Sequence, residues 1–283
     1  MVRRSTHSRQ IMFLVLVPFF LWVIAFMILP VLGMVQASFQ HDNGQGFTLG
    51  QYIKSLTHPR YLGSFRNSII LSLFSAFVGL AVATFAAYSF TRFSDKVRDR
   101  LLSFSNVMTN FAGVPLAYAF VIIFGMNGML TNVLKKMGLD FLAFDVYSWT
   151  GLAMVYVYFQ IPVGILLIYP ALYGIREEWK EASALLGASG VQFWYRIGFP
   201  VLLPSLVGTF SVLFANAMGA YATAYALTLS NFNLTPIVIG ALVSGDVYPR
   251  EELASALAII MFVILIVTML ISEKMAAIAR RRS

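Results

Sequence analysis

Six runs of 20 or more residues contain no Asp, Glu, Lys or Arg. They cover about 11–37, 69–90, 102–124, 149–169, 201–229 and 253–272. A helix needs roughly 20 apolar residues to cross the hydrocarbon core of a bilayer. Inside lipid the backbone must satisfy its own hydrogen bonds, which leaves only helices and closed barrels. The runs are continuously apolar and do not alternate with period two, so they read as helices. The expected fold is an all-α membrane protein of six transmembrane helices, with residues 1–283 forming one transmembrane domain. Composition points the same way. A chain that is 59% hydrophobic and 11% charged has too little polar surface for water, where domains average about 25% charged residues.

The basic residues lie unevenly about these runs. With the N-terminus inside, the inside segments hold Arg3, Arg4, Arg9, Arg92, Lys96, Arg98, Arg100, Arg176, Lys180, Arg196, Lys274 and Arg280 to Arg282. The outside segments hold Lys54, Arg60, Arg66, Lys135, Lys136 and Arg250. Fourteen of the 20 Lys and Arg thus fall on one side, and the positive-inside rule places both termini in the cytoplasm. The formal charge of +8 follows from this asymmetry. It is not read as a nucleic-acid footprint, and no nucleic-acid partner is expected. The basic start followed by an apolar run reads as an uncleaved signal anchor, because the run is too long and lacks small cleavage-site residues.

Several chemistries are excluded. The chain has no cysteine, so it has no disulfide framework, thiolate metal site or Cys nucleophile. His7, His41 and His58 are scattered, and no metal site is expected. No Gly is followed by Lys, so the phosphate-binding Gly-x-x-x-x-Gly-Lys-Ser/Thr loop is missing. No catalytic residues and no cofactor are expected, and the chain is read as a non-enzyme. Ion-coupled carriers place ionisable groups inside the membrane, whereas Arg66, Arg92 and Glu273 lie only at span edges.

The connection between the fourth and fifth runs, about 174–200, carries the densest signal. Arg176 to Leu186 is rich in helix formers, with Trp179, Ala182 and Leu186 on one apolar stripe and Glu177, Glu178, Lys180 and Glu181 on the polar side. Gly187 and Gly190 allow a bend. A second short helix then carries Phe193, Trp194 and Ile197, and Pro200 and Pro204 open the fifth run. Amphipathicity alone would suit a helix lying on lipid headgroups. The small residues Ala182, Ser183 and Ala184 fit close approach of another protein surface better.

This loop resembles the Glu-Ala-Ala signature of binding-protein-dependent ABC importer permeases. That pattern continues with Gly after three intervening residues and ends in Ile-x-Leu-Pro. Glu181, Ala182, Gly187, Ile197 and Pro200 match it, while Ser183 replaces the second Ala and Phe199 the Leu. The resemblance spans the second to sixth runs and implies a MetI-like permease fold with a cytoplasmic coupling helix. Glu181, Ala182, Ser183, Gly187, Ile197 and Pro200 would then dock a separate ATPase chain that binds ATP. The implied partners are a dimer of such ATPases, a second permease subunit, an external solute-binding protein and the surrounding lipid. The implied location is a bacterial inner membrane. A stand-alone channel or secondary carrier is the rival class.

Polar residues inside the runs admit two readings. Asn110, Asn216, Tyr221 and Tyr225 either hydrogen-bond between helices or line a translocation path. Gly79 with Ala83, and Ala215 with Gly219, are small-residue pairs suited to close helix contact. The outer segment Ser230–Arg250, with Asn231, Asn233 and Asp246, is the expected contact for a solute-binding protein. The stretch Gly219 to Leu227 resembles permeases of the spermidine/putrescine branch, which also includes iron, thiamine, opine and phosphonate importers. That resemblance implies a polyamine-type cargo, although the lack of intramembrane carboxylates argues against tight cation binding.

Overall fold

Long apolar runs flanked by charged turns can only become helices in lipid, and the described residues contain helices and no strand. The computed structural model describes residues 16–42, 44–139, 145–228, 232–245 and 249–282, with side chains to 278 in the last segment. The helices are α1 (Leu16–Ser38), α2 (Gly50–Thr57), α3 (Pro59–Phe90), α4 (Asp95–Thr109), α5 (Val114–Phe124), α6 (Met129–Lys136) and α7 (Trp149–Tyr173). They continue with α8 (Glu177–Leu185), α9 (Gly190–Met218), α10 (Tyr221–Thr228), α11 (Thr235–Val243) and α12 (Glu251–Arg282). Among the described residues six helical stretches are long and apolar enough to cross a membrane: Leu16–Ser38, Pro59–Phe90, Val114–Lys136, Trp149–Tyr173, Gly190–Met218 and Glu251–Ile278.

The backbone divides into two units. One takes the chain up to Leu62 with Val238–Met261, and the other takes Gly63–Ile237 with the chain from Phe262 onward. In the first unit the segment after α1 folds back on itself. Phe39 stacks on Phe47 at 5.3 Å, and Ser38 and Tyr52 share a 2.7 Å hydrogen bond. The Gln51 amide donates to the Asp42 carboxylate at 2.9 Å. This bond, against a smaller cost of burial and with help from Lys54 and Arg250, holds the Asp42 carboxyl below its usual range.

In the second unit α7 is the central helix. More than half of its spanning window is buried, 56%, against none of α1's. Two apolar clusters form along it. One gathers Leu71, Leu116, Leu152, Tyr156, Phe159 and Leu227, and the other gathers Ala83, Ala87, Ile165, Ile168, Leu172 and Leu202. Between them α3 and α7 come close. A Cβ on Gly79 would lie 2.7 Å from Cβ of Gln160, and one on Gly164 would lie 2.7 Å from Cβ of Ala83. Small residues drive such contacts in lipid, where apolar packing against tails gains little. The expectation for Gly79 and Ala83 holds in this geometry. Gly219 instead caps the end of α9, where an added Cβ would meet only the carbonyl of Ala215. At one end of the bundle Arg98 pairs with Asp95 at 2.9 Å and sits 5.3 Å over the Tyr173 ring, tying α4 to α7.

The helix bounds differ from the sequence-based ones in instructive ways. The third run, expected at 102–124, breaks after Thr109: Gly113 takes a positive φ of 72° and Pro115 opens α5. Its spanning stretch is Val114–Lys136, and Lys135 and Lys136 end α6 where a loop was expected. The second run starts at Pro59, about ten residues before Ile69, and α2 occupies part of the expected outer loop. The fourth run continues through Pro170 to Tyr173. The fifth stops at Met218 and resumes as α10, and the sixth extends to Arg282.

Prolines explain a further irregularity. Wide π-turns at Ile24–Ile28 and Trp194–Gly198 each end two residues before a proline, Pro30 and Pro200. Proline cannot donate and its ring crowds the carbonyl four residues back. The wider turn reroutes the preceding amide, so that Leu29 bonds Ile24 and Phe199 bonds Trp194, and the helix passes the proline unbroken.

The Gly164–Ala83 contact makes a swap informative. Gly164→Ala is expected to destabilise by roughly 1–3 kcal/mol through overpacking, and Ala83→Gly in the same chain should restore most of the loss. Thermal melting of the four chains of this cycle in detergent measures it.

Candidate functional site

The α8–α9 connection is built by two interlocking caps. At the end of α8, Gly187 adopts a φ of 80°. The Ala188 amide donates to the Ser183 carbonyl at 3.0 Å and the Gly187 amide to the Ala184 carbonyl at 2.9 Å. This is a Schellman motif, and the left-handed residue it requires is glycine. The next helix begins at once. The Ser189 hydroxyl accepts from the Gln192 amide at 3.3 Å, and the Gln192 side-chain oxygen accepts from the Ser189 amide at 2.8 Å, forming a capping box. The bend is therefore Leu186 to Ser189. Gly190, expected to share it, is the first residue of α9 with an ordinary helical role.

What this hairpin presents is apolar. Leu185 and Leu186 are 90% and 89% exposed, and Val191 and Tyr195 are 79% and 80% exposed. Ala182, Glu181 and Ala184 are also on the surface. Ser183 is buried, its hydroxyl donating to the Lys180 carbonyl at 2.8 Å. Among the described residues Glu181 makes no ion pair, while Lys180 pairs with Glu177 at 2.7 Å. Ile197 and Pro200 are half-buried on the π-turn and the helix beyond it.

The hairpin is anchored by aromatic residues. Phe193 is buried, and Trp194 meets Tyr88 of α3 edge-on at 5.1 Å between ring centres. The Trp194 indole covers Gly198, where any Cβ would collide with it. Tyr88 in turn carries the Arg92 guanidinium 4.7 Å above its ring. The sequence reading placed Trp194 on an apolar side but could not supply Tyr88, its partner about a hundred residues earlier.

The polar residues of the spans form a second feature. Gln160 on α7 is fully buried. Its amide nitrogen donates to the Leu213 carbonyl at 2.5 Å, and its oxygen accepts from the Asn216 amide at 3.1 Å, both on α9. Asn216 therefore bonds between helices and is exposed as well. It ends a stripe of α9 that is exposed at Val201 and Val212 and half-buried at Ser205 and Gly208, and a Cβ on Gly208 would meet nothing within 4 Å. Tyr221 and Tyr225 stack at 5.3 Å on α10 and are both partly exposed. Asn110 is exposed at the α4–α5 break, its amide donating to the Asn106 carbonyl at 3.1 Å. The two helix breaks adjoin: a Cβ on Gly113 would lie 3.7 Å from Cβ of Ala222, and the buried Tyr156 hydroxyl donates to the Ala220 carbonyl at 2.8 Å. Gln160 went unnoticed in the sequence, where one amide in an apolar run carries no distinguishing pattern.

The segment expected on the outside holds a helix among its described residues. Its middle is α11, and the Thr235 amide donates to the Ser68 hydroxyl at 2.8 Å. Asn233 is half-buried and its carbonyl accepts from the Asn67 amide at 3.1 Å. Asn231 and Asp246 lie outside the described residues.

A membrane bundle with a capped, apolar-tipped hairpin at one end defines a permease-like transmembrane subunit. Residues 79–281 match the family described as "Binding-protein-dependent transport system inner membrane component", and the chain belongs to it. It is similar to the "Probable sulfate transport system permease protein cysT" of Prototheca wickerhamii, 27% identical over 221 residues that cover 76% of this chain and 82% of the relative. It is also similar to the "Spermidine/putrescine transport system permease protein PotB" of Haemophilus influenzae, 25% identical over 212 residues that cover 72% and 73%. In structure it resembles a chain of a bacterial ABC transporter involved in the import of the acidic polysaccharide alginate. The TM-score is 0.74 at 19% identity, with 96% of both chains covered, and this likeness supports the permease fold.

Valine at 187 would have to hold a left-handed conformation that costs an L-residue about 1–2 kcal/mol. Gly187→Val should open the hairpin to protease in limited proteolysis of the full chain. Gly187→Asn, which tolerates that region, should remain close to the parent.

Proposed function

We propose that the chain is the permease subunit of an ABC importer and that its α8–α9 hairpin docks a separate ATPase. The exposed tip of Leu185, Leu186, Val191 and Tyr195 carries this reading. Two caps hold it rigid, and large apolar side chains exposed together mark an interaction surface. Glu181 stands free beside it to meet a basic residue of the partner. The hairpin faces the cytoplasm, where the basic excess lies, and both termini share that side.

The mechanism follows from helix continuity. From Gly190 to Asn216 the backbone is one helix, about 40 Å long at 1.5 Å per residue. A push on the tip is delivered along α9 to the open stripe ending at Asn216. A second permease faces that stripe, and Asn110, Asn216, Tyr221 and Tyr225 line the path between the two subunits. Gln160 locks α9 to α7, so the stripe moves with the bundle. A solute-binding protein delivers cargo on the opposite face, where α11 and the segments flanking it, with Asn231, Asn233 and Asp246, form the receiving surface.

For cargo we infer a small oxyanion such as sulfate. The path residues offer neutral amide and hydroxyl donors and no carboxylate to hold an ammonium. The relative named for sulfate transport supports the same direction. The polyamine expectation remains the second reading, supported by the relative named for spermidine and putrescine.

Reconstitution in proteoliposomes with the neighbouring ATPase, second permease and binding protein tests both levels. Leu186→Asp or Glu181→Arg should cut binding-protein-stimulated ATP hydrolysis by at least about tenfold, the loss of roughly 1.4 kcal/mol of docking energy. Stimulation at the parent rate would remove the docking assignment. Uptake of labelled sulfate with no uptake of labelled spermidine is expected; the reverse would restore the polyamine reading.

A further inference from the structure

Beside the hairpin, a groove of about 740 Å³ runs along α3, α9 and α12, within the usual size of small-molecule sites, about 300–1,000 Å³. Leu80, Ala81, Leu203, Leu206, Phe210 and Ile271 line it. Ser272 donates to the Val207 carbonyl at 3.0 Å and closes the groove's floor between α12 and α9. A second, polar pocket of about 350 Å³ adjoins it, and the two share Tyr88, Leu172 and Trp194 as lining. The polar pocket is lined by Arg176, Glu177, Glu178 and Lys180 together with Tyr88, Tyr173 and Trp194. It therefore carries two positive and two negative side chains. Lys180 and Glu177 neutralise each other, while Arg176 and Glu178 have no ion pair among the described residues.

An apolar groove beside a pocket with one cation and one anion outside any ion pair is complementary to an amphiphile whose head carries both charges. We propose that this composite site binds a zwitterionic phospholipid of the bilayer, phosphatidylethanolamine, with an acyl chain in the groove. Its phosphate faces Arg176, in a charge-assisted contact of the kind guanidinium groups favour. Its ammonium faces the Glu178 carboxylate. A purely anionic headgroup would leave the Glu178 carboxylate without a counter-charge. The bilayer supplies this ligand at the right depth, because the groove lies along spanning segments and the charged pocket lies just beyond their ends. The open stripe of α9 points elsewhere, so a permease partner on the stripe leaves the groove to lipid. Trp194 belongs to both the lipid site and the hairpin's anchor, so a bound lipid stiffens the hairpin directly. The site does not depend on the transport reading and is tested by binding alone.

The full-length chain, purified and delipidated, is titrated with phosphatidylethanolamine or phosphatidylglycerol in mixed micelles, and native mass spectrometry counts the lipids retained. Phosphatidylethanolamine should be retained at least about tenfold better, as one charge-assisted contact implies. The surface pair Arg176→Gln and Glu178→Gln should abolish that preference, and Leu206→Trp, which fills the groove, should reduce retention of both lipids. Phe104→Ala, on the exposed face of α4, should change nothing. Equal retention of the two lipids, or a preference that survives the double charge variant, overturns the proposal even if Leu206→Trp fails to fold. The chain has no cysteine, so Leu206→Cys supplies a unique thiol. Its cross-linking to a second permease chain in native membranes would also overturn the proposal by showing another occupant.

Discussion

Everything in the second unit turns on one buried amide. Gln160 sits in the apolar interior of α7, where an unpaired amide would cost several kcal/mol, about 2–7 depending on reference state. The cost is met by α9, through the Leu213 carbonyl and the Asn216 side chain. The same residue lies against Gly79 of α3, where no Cβ could fit. One side chain therefore fixes the spacing of α3 and α7 and the register of α9. Apolar packing alone would leave these helices free to slide, because lipid tails solvate leucine as well as another helix does. A hydrogen-bonded amide has only one satisfied position.

That register gives the hairpin its meaning. The Gln160 bonds fix the end of α9 far from the hairpin, as Trp194 against Tyr88 fixes the near end, so the apolar tip is tied to a face inside the membrane. With them, Leu185 and Leu186 at one end and Asn216 at the other belong to a single oriented body. The π-turn at Trp194–Gly198 preserves this continuity past Pro200. A true helix break at that proline would have decoupled the two ends.

Much of this was legible in the sequence, and the limits are physical. Span number followed from charge-free length, and a bend at Gly187 and Gly190 from glycine's conformational freedom, of which the structure uses only Gly187. The contact at Gly79 and Ala83 followed from small residues at helical spacing. What failed were features that depend on distant partners. A helix starting at Thr235 has its first amide satisfied by Ser68, which lies far away in sequence, and the Asn, Pro and Gly residues about it read locally as a connection. The break at Asn110–Gly113 was hidden because apolar residues continue on both sides of it. Gln160 was silent because its meaning lies in α9, more than fifty residues later. Pro200 and Pro204 were read as a helix start, since proline at an opening is the commoner case. The rerouted amide of Phe199 is visible only in three dimensions.

The two open faces of α9 then divide the labour by chemistry. The stripe of Val201, Ser205, Gly208, Val212 and Asn216 is small and ends in an amide, so it suits close approach of another helix or a hydrated solute. The face toward Leu203, Leu206 and Phe210 is bulky and apolar, so a solute path there would strand ions against hydrocarbon. Both faces rotate together, because both belong to a helix pinned at Gln160 and anchored at Trp194. A lipid in the groove and a protein at the hairpin would therefore act on the same helix, because Trp194 lines the groove and anchors the hairpin.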